Sequence, residues 1–185
     1  MSLTVFDCND MRLYSPIANV FGINQKEYEI IDRVKENAWK RCMFCFDHIN
    51  NDKFNTGGCQ IYHCVQYGMW LYFLSNEIYR CFGTDETAIN VCDKIFMMNM
   101  SFTQMDIYYG HNMPDVFLPA HTSGVVFSPL AKIGEFFMFN HGCNVGLNTD
   151  PNTPPCIGNY VIMMGNSKIV GNCNVGEYVI FGANS

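Results

Sequence analysis

The sequence predicts an α+β chain: a helical N-terminal unit followed by a parallel β-helix of hexapeptide repeats, mainly β in its C-terminal part. Three observations carry this. Helical periodicity fills roughly the first hundred residues, large apolar residues recur every six positions from Phe127 onward, and Gly and Asn gather between those steps. The expected division is a helical domain over 1–115 and a repeat domain over 116–185, with a loop protruding at 149–156.

The helical unit reads in three pieces. Asn24 with Glu27 three residues on is a capping-box signature, and Ile31, Val34, Ala38, Cys42 and Cys45 then share one face of a helix over 24–49. "FNTGGCQ" breaks that pattern, and an aromatic-rich helix runs from about Tyr62 to Cys81, ended by Gly83. Thr84 with Asp85 and Glu86 opens a third helix, its acids at the positive end of the helix dipole, and Ile89, Cys92, Ile95 and Phe96 carry it toward Phe102.

The repeat is written in sixes: Phe127, Ile133, Phe139 and Val145, then an interruption, then Ile157, Met163, Ile169, Val175 and Phe181. A period of six is neither helical nor simple strand alternation. It is a solenoid signal, with three short strands per triangular coil and one large side chain pointing into the prism at each step. Gly and Asn supply corners where positive φ is easily reached. "TDPNTPPC" (149–156) holds three prolines, cannot be strand, and is expected to project from a corner near His141.

A formal charge of −6 argues against non-specific binding to nucleic acid or an anionic membrane. No apolar run reaches the roughly 18 residues of a membrane span, and the N-terminus lacks a basic stretch ahead of an apolar one, so a cytoplasmic location is expected. The ten cysteines then read as reduced thiols. Cys42-x-x-Cys45 has metal-ligand spacing but falls inside an apolar helical pattern, so no metal site is expected.

The histidines divide by setting. His48 and His63 sit at helix ends. His111, in "YYGHNMP", lies in the loop entering the β-helix, near Asp106 and Asp115, either of which could orient it. His141, in "FNHGCNVG", lies within one turn of glycine-flanked amides, an arrangement that can pair a base with backbone N–H groups holding an oxyanion. Cys143 is the alternative as a nucleophile.

The hexapeptide pattern behind a helical unit resembles the left-handed parallel β-helix acyltransferases, and serine acetyltransferases in particular. "SPLAKIGEFFMFNHGCNVG" is similar to that family's "HPAAKIG", then "DHATG", whose histidine is the catalytic base; His141 falls on it. "HTSGVV" is similar to a "HPVGTVLG"-like segment of related proteins, and His121 falls on its histidine. The resemblance runs from about Tyr62 to the end. It implies a left-handed β-helix, acetyl-CoA as co-substrate, a small-molecule acceptor, and a homotrimer or dimer of trimers. The family's orienting aspartate, fifteen residues before the base, falls on Val126 when counted from His141, and the acid just before the base falls on Asn140. The family's acceptor-holding arginine and histidine fall on Thr153 and Pro154.

The expected activity is acetyl transfer from acetyl-CoA to the hydroxyl of serine or a related small amino acid, with His141 or His121 as the base. Asp106, His111 and Asn140 are candidates to bind the acceptor. Gly165, Asn166, Gly182 and Ala183 are candidates for the wall of the coenzyme's thin pantetheine arm. The alternatives are a sugar O- or N-acetyltransferase of surface polysaccharide synthesis and a non-catalytic repeat scaffold.

Overall fold

A computed structural model describes residues 5–54, 56–148 and 150–185. The chain divides into two compact units, Met1–Phe102 and Thr103–Ser185. The second unit thus begins earlier than residue 116, because the first strand already lies at Met105–Ile107.

The first unit holds α1 (Ser15–Phe21), α2 (Gln25–Asp47), α3 (Cys64–Phe82) and most of α4 (Glu86–Thr103). The periodicity did not reveal α1, a seven-residue helix opened by Pro16. The capping box at α2 forms as expected: Asn24 accepts from the Glu27 N–H, and Glu27 accepts from the Asn24 N–H. Glu27 also holds Lys94 of α4 at 2.7 Å, so one buried carboxylate serves a cap and an ion pair. Helix α3 is buried along nearly its whole length, with Trp70 edge-on to Tyr14 and Trp39. Cys42 and Cys45 are wholly buried on the inner face of α2, and burial holds the Cys42 thiol well above its usual pKa. They act there as small apolar residues. No helix among the described residues is long and apolar enough to cross a membrane.

The second unit is a parallel β-helix of about four coils with three faces. The first face stacks β1 (Met105–Ile107), β3 (Val125–Phe127), β6 (Asn144–Gly146) and β9 (Lys168–Val170). The second stacks β4 (Lys132–Ile133), β7 (Cys156–Ile157) and β10 (Asn174–Val175). The third stacks β2 (Phe117–Pro119), β5 (Phe137–Phe139), β8 (Ile162–Met163) and β11 (Ile180–Phe181).

Every repeat-starting residue falls in one of three in-register columns: Phe127, Val145 and Ile169; Ile133, Ile157 and Val175; Phe139, Met163 and Phe181. The hexapeptide period is therefore the side length of the prism. Stacked coils place like residues over one another, so each large side chain packs on its counterparts one coil away.

The coils differ in length where something is inserted. From Asn144 to its partner Lys168 the chain takes 24 residues, against 18 from Val126 to Asn144. The additional residues form the proline-rich loop between β6 and β7, whose Thr149 lies outside the described residues. That loop leaves the corner between the first and second faces. His141 lies between β5 and β6, at the corner between the third and first faces, so the expected adjacency of loop and histidine does not hold.

Candidate active site

The corner between the third and first faces is a column of left-handed residues. Gln104, Gly124, Gly142, Asn166 and Asn184 have φ of 55°, 71°, 65°, 61° and 62°. Each coil ties to the one below through its backbone: Gly124 N–H donates to Gln104 O, Gly142 N–H to Ser123 O, Asn166 N–H to His141 O, and Asn184 N–H to Gly165 O. These four amides are engaged in holding the solenoid together.

One corner is longer than its neighbour. Seven residue steps separate Pro119 from Val126, whereas five separate their partners Phe139 and Asn144. The two additional residues bulge the first coil outward and carry His121 into an open groove of about 640 Å³. Gln104, His121, Ser123, Gly124, His141, Gly142 and Asn166 line it. The His121 and His141 ring centroids are 6.3 Å apart, with the planes inclined at 63°. Both rings are exposed, and none of the seven lining residues is a carboxylate, lysine or arginine.

Gly165 sits on the coil above His141. A Cβ there would lie 2.7 Å from the ring Cε1 and 2.8 Å from Nε2. The imidazole occupies space that any other residue at 165 would fill. Gly142 is constrained in the same way, since a Cβ on it would overlap Asn166 Oδ1.

Asp106 lies in the middle of β1, between the buried Met105 and Ile107, and so faces outward from the prism. It is two residues from the groove residue Gln104. On the coil above, its register partner is Val126. Counting back fifteen residues from His141 therefore reaches Val126, and the same count from His121, one coil lower, reaches Asp106. The acid–histidine spacing that looked lost is present in the first coil.

The remaining candidates separate. His111 is buried, with Nε2–H donating to the Ala131 carbonyl at 3.0 Å, and burial lowers its pKa; it serves packing and does not line the groove. Asn140 is half-buried at the corner, its amide donating to Met163 O, and also lies outside the lining. Cys143 points into the prism, where its thiol reaches Met164 O at 3.2 Å, so it cannot act as an exposed nucleophile. Asn166 lines the groove. Gly182 and Ala183 lie on the last coil of the same corner but outside the groove. Among the described residues, no group of three or more His, Cys, Asp or Glu side chains converges as a metal site would. Sequence reasoning missed Gln104, which lies in no motif, and Ser123, which lies in "HTSGVV" but is assigned no role there; both emerge as groove residues only when the coils stack.

This architecture has solved counterparts. A serine acetyltransferase from Neisseria gonorrhoeae superposes with a TM-score of 0.72 at 17% identity, covering 92% of this chain and 67% of its own. The fold is that of the serine acetyltransferases. Isoform 3 from Entamoeba histolytica, solved with cysteine, gives 0.62 at 18% identity, covering 94% of this chain. The Brucella abortus enzyme, solved with coenzyme A, gives 0.62 at 16% identity, also covering 94%. This chain spans 63% and 64% of the lengths of those two proteins. By sequence, no protein-family model and no curated protein matches.

Proposed function

We propose that the chain is a CoA-dependent acetyltransferase acting on the hydroxyl of a small acceptor, with His121 as general base and Asp106 as the group that orients it. The observation that carries this reading is the pairing of a fifteen-residue Asp106–His121 spacing with a lengthened corner that holds His121 in an open groove. His141 has Val126 at the equivalent position and lacks such a partner.

The chemistry follows from these groups. As the acceptor oxygen bonds to the thioester carbonyl carbon, the His121 imidazole takes its proton, a step worth about 10²–10⁴-fold in rate. Negative charge gathers on the carbonyl oxygen. The Ser123 hydroxyl and the side-chain amides of Gln104 and Asn166, the last also donating to Asn184 Oδ1, are neutral donors lining the groove. Gly165 and Asn166 leave the coils above the histidines narrow-walled, which suits the pantetheine arm. The groove is open on one side, and a neighbouring copy in a homotrimer would supply its second wall.

Serine is the first acceptor to test, because the solved proteins of this fold are serine acetyltransferases. Thr153 and Pro154 stand where that family's carboxylate-holding pair falls, which keeps an amino sugar as the second acceptor. The test is acetyl-CoA consumption with thiol release against L-serine and glucosamine. His121→Gln is expected to abolish turnover while leaving coenzyme A affinity intact. No thiol release above hydrolysis with any acceptor, and no coenzyme A binding by calorimetry, would leave the repeat scaffold as the reading.

A further inference from the structure

We infer that His141 is a second acid–base group of this site, delivering a proton to the coenzyme's thiolate as it leaves, while His121 takes the proton of the acceptor. This rests on the acetyltransferase reading above.

The placement of His141 is built, not incidental. Its ring fits because Gly165, directly above it in the corner column Ser123, His141, Gly165 and Ala183, has no Cβ. The ring shares one groove with His121 at 6.3 Å between centroids, and no carboxylate, lysine or arginine lines that groove. The two imidazoles are its only ring bases among the described lining residues.

The order along the corner assigns their ends. Asp106 and His121 belong to the first coil, His141 to the second, Gly165 and Asn166 to the third, and Ala183 and Asn184 to the fourth. A pantetheine arm laid against Asn166 and Gly165 on the third coil would bring its sulfur to the level of His141 on the second. The acyl carbon, one bond further in the same direction, would then lie on the side of His121, on the first coil.

Acetyl transfer needs a proton at both ends. The acceptor O–H proton moves to His121 as the new C–O bond forms. When the tetrahedral intermediate collapses, the C–S bond breaks with its electron pair on sulfur, and the His141 imidazolium protonates that thiolate. Water then reprotonates His141 and accepts the proton from His121, so the products are the acetyl ester and the free thiol. An alkyl thiol has a pKa of about 8.5, so its thiolate is a basic leaving group that gains from a nearby acid. His121, at the acceptor's end, would otherwise have to reach across the intermediate.

The test varies the leaving group. Initial rates are measured with acetyl-CoA and with S-acetylthiophenol, whose aryl thiolate leaves without help, for wild type, His141→Gln and His121→Gln and the same acceptor. His141→Gln is expected to lower turnover about 10²-fold with acetyl-CoA and no more than about threefold with the aryl thioester. His121→Gln is expected to lose activity with both donors. Equal loss with both donors for His141→Gln, or no loss with acetyl-CoA, overturns the inference while leaving the base assignment standing. A wild-type chain that transfers acetyl from neither donor overturns both. His141→Asn, with a shorter side chain that leaves Gly165 clear, is measured in parallel, and thermal melts select the variant that keeps the native fold.

Discussion

Gly165 lies over His141 so closely that a methyl group at residue 165 would sit 2.7 Å from the imidazole Cε1. The glycine is there for the histidine ring and not for its own backbone, whose φ is not in the left-handed region. Gly165→Ala should therefore push the ring aside and leave the coil intact. Turnover is expected to fall about 10- to 100-fold, the usual result of displacing a reacting group by about an ångström. Circular dichroism should show an unchanged spectrum. Full activity in this variant would mean that the ring's position is irrelevant.

Asp106 and its register partner Val126 provide the test of which histidine is the base. Asp106→Asn keeps the size of the side chain and removes its charge, so the rate should fall about 10²-fold or more with little change in acceptor KM. Val126→Asp places a carboxylate in register directly above Asp106, fifteen residues ahead of His141. If His121 is the base, that substitution raises no activity in a His121→Gln background. Recovery of turnover in the double variant would transfer the role to His141.

Acid should destabilise the β-helix through His111. Burial lowers its pKa from the ordinary value of 6.5, so below about pH 6.5 the unfolded chain binds a proton that the folded chain resists. The stabilisation is complete above that pH and declines as pH falls toward the lowered folded value. His63, which caps α3 by accepting from the Gln66 N–H, shifts in the same direction because burial disfavours its charged form. Melting temperatures between pH 5 and 8 should fall less steeply for His111→Gln than for wild type. Parallel curves would show that His111 protonates freely in the fold.

The start of α2 offers a test by energy. Asn24→Ala removes one side-chain cap and is expected to cost about 1 kcal/mol in urea unfolding. Glu27→Ala removes the reciprocal cap and strands Lys94, and should cost about 3 kcal/mol, the lower end for breaking a buried pair. Equal effects would mean that the ion pair with Lys94 contributes nothing.

A second corner carries a stacked ladder of Phe136, Tyr160 and Tyr178, with ring centroids 4.7 and 4.8 Å apart and planes within 4° of parallel. All three residues are left-handed, with φ of 57–58°. That conformation costs about 1–2 kcal/mol per residue, and each stacked pair returns about 0.5–1.5 kcal/mol. Tyr160→Asn relieves the strain and removes both stacks, so unfolding free energy should change by less than about 1 kcal/mol. A larger loss would mean that the ladder does more than cover its own corner.

Much of this was legible in the residues. The nine large side chains at six-residue spacing fall into three inward columns because a solenoid repeats its environment once per face. The Asn24–Glu27 box gave the start of α2 because capping is local. The short helix α1 escaped notice because seven residues hold too little periodicity. His111 misled for a different reason: a histidine beside two aspartates in sequence says nothing of burial.

The sequence by itself determined the fold class, the prism's period and the presence of two histidines near corners, since each depends on local spacing. Only the tertiary structure showed where Asp106 and Val126 lie relative to one another. Fifteen residues is one count whether it starts from His121 or His141, and stacking the coils puts Asp106 on the lower one and Val126 above it. It also decided that Cys143 faces inward, that four corner amides are engaged in the ladder, and that the space beside Gly165 is filled by a ring. Those facts depend on what lies one coil away, about 20 residues distant along the chain and about 4.8 Å in space.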